Sequence, residues 1–597
     1  MVGAYGNAPY IIPIFLVGRV SIPDVIHLFN IMTDLTTVNL DTDILIIGGG
    51  AAGCMAAIEA KKIDPNARCI IMEKAHIERS GCLAMGLNAI NAYLNNGQTP
   101  ETYTKYIKDE FFGVIREDLV YSIAEGLNES VKQVEELGLP IEKDHNGDYV
   151  TRGKRSIRIF GERLKPILAD AVYRAKVGVL NRVAATNFIF DGERVRGAYG
   201  FNSRDGKLYV VHARAVIVTT GGASGIYKPI KKGDARNTTW YCPWNVGTGY
   251  AMGIRIGAEM TSFENRFIPL RVKGVNAPTG TIAQGSAIMH RNAQGEEYLE
   301  ERYKHLGGER CLSIYRLLAT LQEEKSGNGP CSLDTRGLSV EAEEKLKTAY
   351  LNMNPAIVLL WANEGYSPGK RPVEISGMEP VVIGGHCQAG YWIDRERRTT
   401  ISGLFAAGDV AGGAPKKYVS GAWVEAKIAV RTAIEEIADI ELLQINEDEV
   451  NREKERIARC INGREGLSHE ELERILHETM DEYAGGATAH YELTESKLII
   501  ARDKLKEIEE KLQDLRAKDN HELVLCLELI DKFDVAKVLI EHLLYRQETR
   551  WPVFQTRTDY PERDDTNWLG FVNSIYDPVN DRVKIVKRAL NETLCNI

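Results

Sequence analysis

The sequence predicts an α/β protein with a doubly wound, largely parallel sheet, an inserted α+β segment and a helical C-terminal part. Three observations lead to this fold class. Residues 41–75 read as strand, tight turn, helix and strand, because the apolar run Asp43–Ile47 is followed by glycines and then by a second apolar run. Two further buried strands are expected at 213–220 and 401–409, where each runs into glycines. Beyond about residue 424, apolar residues recur at helical spacing.

Composition narrows the class of partner. The chain has 597 residues and a formal net charge of −9, so nucleic acid is not an expected partner. Its 10 cysteines are scattered without a CxxC pair, which predicts that the chain holds no iron–sulfur cluster or zinc of its own and favours a reducing cytoplasm. The apolar start of the chain is broken by prolines and charges, so we read residues 1–35 as an N-terminal extension and expect no membrane span.

The strongest local signal is a glycine motif after the first strand. Gly48, Gly50 and Gly53 form a GxGxxG pattern: the first makes the tight turn, the second admits a pyrophosphate and the third lets helix and strand pack closely. The N-terminus of the next helix offers free N–H groups to phosphates. Glu73 ends the second strand about 20 residues on, where an acid accepts from ribose hydroxyls. This context predicts a dinucleotide site.

Two features favour FAD over NAD as the dinucleotide. Asp409 follows Gly408 at the end of a later strand, just before a glycine-rich turn and a helix, where its carboxylate can hold the ribityl chain. The small residues of 80–91 suit close packing against a flat ring.

The sequence also resembles the succinate dehydrogenase/fumarate reductase flavoprotein family from about residue 40 onward. The resemblance rests on five stretches: Ile44–Gly53, Ser80–Asn91, Gly221–Gly222, Leu404–Asp409 and Asp559–Asp565 with Trp568. It implies FAD contacts, beyond the residues already named, at Ala52, Lys74, Ser80, Gly81, Gly221, Gly222 and Ser420. It implies a FAD-binding domain in two parts (36–264 and 378–435), a capping domain (265–377) and a helical C-terminal domain (436–597).

Within that family the chain is most similar to the adenylylsulfate reductase alpha subunits. The stretches concerned are Arg236–Asn245, Gly257–Met260, Glu264–Pro269 with Arg271, Ile159–Pro166 and Arg116–Tyr121. The similarity implies FAD-dependent reduction of adenylylated sulfate to sulfite plus a nucleotide, through a sulfite adduct at flavin N5. It also implies an iron–sulfur beta subunit, ferredoxin-like and carrying [4Fe-4S] clusters, in a heterodimer or a dimer of heterodimers.

Five residues match the active-site positions of these reductases. Arg271 matches the substrate arginine, and its planar fork suits sulfate or phosphate oxygens. Trp240 matches the tryptophan between flavin and partner cluster, and His386 matches an active-site histidine. Asn91 and Glu162 match polar residues of the flavin pocket.

The chain departs from the dicarboxylate enzymes of the family. Their proton-donor arginine string is absent from Ala283–Arg291, and 416–418 replaces their second substrate arginine. No histidine stands at Ser80–Cys82, so FAD is expected to be non-covalent. A fumarate reductase or succinate dehydrogenase type subunit, or a non-catalytic FAD electron-transfer subunit, is the alternative reading.

A group of basic residues leaves the substrate open between adenylyl sulfate and 3′-phosphoadenylyl sulfate. Either a solvated basic face or an anion funnel explains such a group, and a funnel would favour the extra phosphate. The residues are Arg152, Lys154, Arg155, Arg158, Arg163, Lys165, Lys228, Lys231, Lys232, Arg236, Lys416 and Lys417.

Overall fold

The computed structural model describes residues 35–230, 239–283, 285–353, 355–442, 446–462 and 467–592. The N-terminal extension, apart from Leu35, lies outside the described residues, as do Lys231, Lys232 and Arg236. The strands are β1 (Thr37–Ile47), β2 (Cys69–Glu73), β3 (Ala89–Ile90), β4 (Ile157–Arg158), β5 (Gly178–Asn181), β6 (Val183–Phe190), β7 (Val195–Asn202), β8 (Leu208–Val218), β9 (Met260–Thr261), β10 (Leu270–Val272), β11 (His290–Arg291), β12 (Ser332–Leu333), β13 (Val373–Gly377), β14 (Gly390–Tyr391), β15 (Leu404–Ala406), β16 (Glu492–Leu493), β17 (Thr556–Arg557), β18 (Phe571–Asp577) and β19 (Arg582–Arg588).

The longer helices follow the predicted alternation in the first half of the chain and dominate the last third. They are Ala51–Ile63, Pro100–Glu110, Glu117–Glu136, Leu164–Arg174, Thr248–Arg255, Ser313–Lys325, Val340–Leu351, Ala356–Asn363, Tyr418–Glu436, Glu447–Asn462, His469–Tyr483, Glu495–Leu512 and Asn520–Tyr545.

A seven-stranded sheet confirms the predicted α/β class. Its order is β5-β2-β1-β8-β7-β6, with β15 also paired to β8. Strands β5, β2, β1, β8 and β15 pair in parallel, whereas β6, β7 and β8 pair antiparallel. Residues 44–47 of β1 are fully or almost fully buried, as expected for a parallel strand with both faces covered. The carboxyl ends of β1, β2, β8 and β15 therefore meet at one edge.

A second sheet lies in the segment between β9 and β14. It has the order β10-β13-β12-β11 and its own apolar core, which includes Trp361 and Tyr350. This sheet brings Arg271 of β10 opposite Ser376 of β13. The domain limits given above stay a prediction.

The last third of the chain is helical, as predicted, but it ends in a hairpin that the sequence analysis missed. Strands β18 and β19 pair along their whole length, and β18 also pairs with β9, which lies more than 300 residues earlier. Arg588 of this hairpin forms an ion pair with buried Glu259 at 2.8 Å. Among the described residues, no helix combines the length and the apolar character that a membrane crossing requires.

Candidate flavin and anion site

A cavity of about 840 Å³ opens at the edge where the parallel strands end. Twelve of the seventeen predicted site residues line it: Gly48, Gly50, Ala52, Glu73, Lys74, Gly81, Asn91, Gly221, Trp240, Arg271, His386 and Asp409. Buried Ser80, Gly222 and Ser420, together with Gly53, stand behind this wall, whereas Glu162 is exposed in a short 3-10 helix and does not line the cavity. The roles of these residues stay predictions; the structure fixes their places.

The glycine motif has the geometry that its spacing predicts. Gly48 has φ of 101°, which favours glycine, and a Cβ on Gly53 would lie only 1.9 Å from the Gly48 carbonyl oxygen. By contrast, a Cβ on Gly50 would meet no atom within 4 Å. Gly50 is also the N-cap of helix Ala51–Ile63, whose N–H groups are free for a ligand. The motif therefore closes the turn at two glycines and leaves the middle one open for a phosphate.

Charged side chains hold this glycine loop from behind. The Glu73 carboxylate accepts the N–H of Gly49 at 2.7 Å and that of Ala75 at 2.6 Å. Lys165 is almost completely buried. Its ammonium group donates hydrogen bonds to the Gly49 carbonyl at 2.7 Å and to the Ile77 carbonyl. Glu73 thus holds the glycine loop in place and also lines the cavity. Lys165 binds the loop from behind, so its charge is not available to an anion funnel.

The other half of the wall comes from the turns after β8 and β15. Asp409 Oδ2 accepts the hydroxyl hydrogen of Tyr241 at 2.9 Å, and the Gly222 N–H donates to the same hydroxyl oxygen at 2.8 Å. Burial raises the pKa of Asp409. Thr220 Oγ1 is buried on this wall without a partner among the described residues. A polar edge of this kind fits the ribityl and ring edges of FAD, so the residues present suit the predicted cofactor.

A buried ion pair supports the Asp409 turn. Lys417 Nζ lies 2.9 Å from Glu425 Oε2, and both side chains have no exposed surface. Lys417 also donates to the Gly408 carbonyl at 3.1 Å, while Glu425 accepts the Gly408 N–H at 2.9 Å. Lys417 was predicted as part of the basic group. Because its charge is balanced by Glu425 inside the fold, it does not attract a ligand.

An arginine at the far end of the cavity lies against a cluster of three aromatic rings, which it contacts through Trp240. The Arg271 guanidinium lies 5.1 Å from the Trp240 ring centroid, and the His386 ring lies 4.6 Å from that of Trp240 and 4.7 Å from that of Phe267. No ion pair between described residues involves Arg271, and its Nε is buried without a partner. Burial lowers the pKa of Arg271 to about 9, still well above neutral pH. An unpaired, half-buried guanidinium is a strong attractant for an anion.

His386 is neutral in this setting. Burial, with a smaller contribution from the Arg271 charge, lowers the pKa of His386 to about 3. Its Nδ1 is buried without a partner among the described residues, and the Tyr418 ring meets it edge-on at 5.0 Å. The imidazole can therefore donate or accept one hydrogen bond without adding charge.

A second polar region lines the cavity near Asn91. The Arg152 guanidinium donates to Asn91 Oδ1 at 2.7 Å, and the Arg155 guanidinium stacks 3.8 Å from the Tyr106 ring centroid. Both arginines line the cavity, and Arg155 Nε has no partner among the described residues. They are the members of the predicted basic group that could meet a ligand.

The rest of that group lies elsewhere or is paired. Lys416 lines the cavity but is ion-paired with Glu110, while Arg158 is half exposed beside Glu142 at 3.6 Å. Lys154, Arg163 and Lys228 are exposed to solvent and absent from the cavity wall. Among the described residues, the predicted basic group therefore contributes only Arg152, Arg155 and the ion-paired Lys416 to the cavity wall.

Several wall residues carried no recognisable sequence signal. Arg310 and Arg316 enter from the inserted segment, and Trp551 and Phe554 enter from beyond the last long helix. Their approach depends on long-range packing, and no local motif marks them. Tyr418 had a signal, because it follows the two lysines that were singled out.

The sequence comparisons agree with this geometry. Residues 43–422 match the family profile described as FAD binding domain, and residues 473–596 match the one described as fumarate reductase flavoprotein C-term. With a glycine loop, a fitting cavity and this match over more than half its length, the chain is a flavin-dependent oxidoreductase.

Relatives of higher similarity identify a narrower family within the flavin-dependent oxidoreductases. The alpha subunit of adenylylsulfate reductase from Megalodesulfovibrio gigas is 30% identical over 92% of this chain and 95% of its own length. The structure of adenylylsulfate reductase from Archaeoglobus fulgidus superposes with a TM-score of 0.89 at 33% identity, covering 94% of this chain and 97% of that one. A structure of adenosine-5-phosphosulfate reductase in complex with sulfite, a covalent adduct, gives a TM-score of 0.88 at 33% identity over the same shares. The chain belongs to the adenylylsulfate reductase alpha-subunit family, which acts on a sulfur group and implies a partner subunit.

Proposed function

We propose that this chain reduces adenylyl sulfate to sulfite and AMP, with 3′-phosphoadenylyl sulfate as the less favoured substrate. The observation that carries the proposal is the unpaired Arg271 guanidinium, which shares one cavity with the glycine loop. The sulfite complex of the related reductase supports the same chemistry. The reaction takes up two electrons and breaks the bond between sulfur and the bridging oxygen, which leaves with the nucleotide phosphate.

Arg271 binds the sulfate end of the substrate. Its fork presents N–H donors in a plane, which suits two oxygens of a sulfate or phosphate. Stacking on Trp240 holds that plane in place, and the absence of a bound carboxylate leaves the donors available. When bound, FAD supplies the electrons for reduction of the sulfur. The protein's own contribution is to hold the anion close to the ring position and to exclude water.

His386 and Trp240 shape the space around that anion. His386 stays neutral at working pH, so it orients an oxygen by one hydrogen bond and does not compete with Arg271 for charge. Trp240, packed between His386 and Phe267, closes the apolar side of the pocket. We assign Arg271 and His386 as substrate contacts and Trp240 as the wall that positions both.

Arg152 and Arg155 are proposed contacts of the nucleotide phosphate. They stand near Asn91 on the same cavity, and Arg152 already donates to its side chain. Glu162, exposed and off the cavity wall, supports this region through its backbone, because a Cβ on Gly86 would lie 3.1 Å from the Glu162 Cα. Lys165 and Lys417 are bound inside the fold and do not meet an extra 3′-phosphate, which favours adenylyl sulfate.

The electron donor is proposed to be an iron–sulfur beta subunit with [4Fe-4S] clusters. The relative's designation as an alpha subunit supports a second chain. Among the described residues no cysteine group has the spacing of a cluster site, so the clusters are assigned to that partner. The assembly is proposed to be a heterodimer or a dimer of heterodimers in the cytoplasm.

Turnover of the purified complex tests this function. With reduced viologen as donor, we expect AMP and sulfite in equal amounts from adenylyl sulfate, slower turnover of 3′-phosphoadenylyl sulfate and none of fumarate. Arg271→Gln should lower kcat/KM by about 1,000-fold. Arg204→Gln, at an exposed position off the cavity wall, is the matched control. Faster turnover of fumarate would favour the dicarboxylate alternative, and no turnover of any of the three would favour a non-catalytic electron-transfer subunit.

A further inference from the structure

Two cysteines distant in sequence meet in the wall of the flavin cavity. Cys82 and Cys242 stand 160 positions apart, yet the Cys242 N–H donates to Cys82 Sγ at 3.3 Å. Their thiol groups are also hydrogen-bond partners of each other, and both are free. Residues this close can bring their sulfur atoms to the S–S length of about 2.05 Å by side-chain rotation.

Cys82 stands directly beside the predicted position of the cofactor. It lines the cavity and follows Gly81, which has φ of 71° and whose Cβ position lies 3.4 Å from the Gly50 Cα. The Cys82 side chain packs against the cluster formed by Tyr241, Val381 and Ile383. Cys82 therefore faces the cavity assigned to the flavin, and Cys242 lies directly behind it.

The two sulfurs differ in their electrostatic setting. The hydrogen bond from Cys82 lowers the pKa of Cys242, and a backbone N–H of Trp244 and the Lys74 charge act in the same direction. Burial, followed by the hydrogen bond to Cys242, raises the pKa of Cys82. One sulfur is thus disposed to be a thiolate and the other to keep its proton, which is the asymmetry of reactive dithiols.

We propose that Cys82 and Cys242 form a redox-active pair that closes to a disulfide and reopens, exchanging two electrons with the flavin in the same cavity. On closing, two S–H bonds break and one S–S bond forms. Two electrons and two protons pass to the oxidised isoalloxazine of FAD, and the reverse transfer reopens the dithiol. This couple goes beyond the proposed reduction of adenylyl sulfate, and its chemistry can be read without that substrate.

Peptide mass spectrometry tests the disulfide directly. The FAD-loaded full chain is oxidised with diamide, alkylated and digested without reductant. We expect a linked peptide pair containing Cys82 and Cys242, which disappears after dithiothreitol. Cys311 also lines the cavity, but its nearest titratable neighbours are Arg316 and Glu309, so it should stay alkylated and unlinked. Absence of the linked pair, or linkage of either cysteine to other thiols, would overturn the proposal.

Variants and an anaerobic titration test the exchange with flavin. Dithiol protein freed of reductant should bleach its own oxidised FAD and form one disulfide for each flavin reduced, whereas Cys242→Ser and Cys82→Ser should not. Cys311→Ser is the matched control and should behave as wild type. Iodoacetamide should modify Cys242 at least about tenfold faster than Cys311 at neutral pH, because its thiolate fraction is higher. A disulfide that forms without any flavin bleaching would refute the exchange.

Discussion

Replacing Arg271 by glutamine should uncouple the activity of this protein from its stability. The guanidinium carries a charge that no described carboxylate balances, and a sulfate oxygen is its natural partner. A unit charge pair at about 4 Å and an effective dielectric constant near 20 is worth about 4 kcal/mol. At about 1.4 kcal/mol per tenfold, its loss should lower kcat/KM for adenylyl sulfate by about 1,000-fold.

The same substitution should make the free protein more stable. Because burial holds the pKa of Arg271 at about 9, below its ordinary 12.5, charging this group opposes folding at every pH below 9, and the penalty fades only as pH rises from 9 towards 12.5. Removing an unpaired buried charge should raise the free energy of unfolding by about 1–4 kcal/mol, while the lost stacking on Trp240 should lower it by about 1 kcal/mol. Arg271→Gln should therefore melt at a higher temperature at pH 7. The assay pairs initial rates with thermal melts; a variant that keeps activity within fivefold, or melts lower, contradicts the reasoning.

Three further predictions concern the same cavity. His386→Gln should make the stability of the fold less sensitive to acid. With a folded pKa of about 3 and an ordinary value of 6.5, His386 opposes folding increasingly as pH falls from 6.5 towards 3, by up to about 1.4 kcal/mol at pH 5.5. The melting temperatures at pH 7.5 and pH 5.5 should therefore differ less in the variant than in the wild type. Gly53→Ala should prevent folding, since its Cβ would lie 1.9 Å from a carbonyl oxygen, whereas Gly50→Ala should fold normally but lose flavin. Circular dichroism reports folding and flavin absorbance reports the cofactor, so the two measurements distinguish these variants. A Gly53→Ala protein that is folded and yellow would count against the geometry. Lys417→Met and Glu425→Gln should each lower the free energy of unfolding by about 3–5 kcal/mol, and the double variant should lower it by clearly less than the sum of the two. Denaturant titrations measure these changes. Strictly additive changes would mean that the two charges do not act as a pair.

Local patterns predicted the geometry of the glycine loop, whereas the roles of the site residues stay predictions. The turn at Gly48–Gly53 is partly short-range chemistry, because Gly48 has a positive φ and Gly53 closely approaches the Gly48 carbonyl oxygen. Thr219, which is distant in sequence, also packs against both glycines. The acid at the end of β2 follows from the same unit, although its hydrogen bonds to the Gly49 and Ala75 N–H groups were not foreseen. The fold class followed from the alternation of buried strands and helices.

The basic group shows where such reasoning fails. Lys165 and Lys417 are as cationic in sequence as Arg152. However, Lys165 is buried against a carbonyl oxygen 116 residues away and Lys417 against a carboxylate eight residues away. Whether a charge faces ligand or protein depends on tertiary partners, which composition does not encode. The C-terminal hairpin was missed for a different reason: β19 alternates apolar and polar residues at the period of a strand, but the preceding helices dominated the interpretation of this region.

The cavity wall is assembled from residues that span almost the whole chain, from Ile47 to Phe554. During synthesis, the glycine loop leaves the ribosome some five hundred residues before Trp551 and Phe554 do. A nascent chain can therefore fold its first βαβ unit early but has no closed chamber in which to retain a flavin. Cofactor capture must be a late event in biogenesis, so a stop codon near the end of the message would yield a colourless product even with every motif glycine in place.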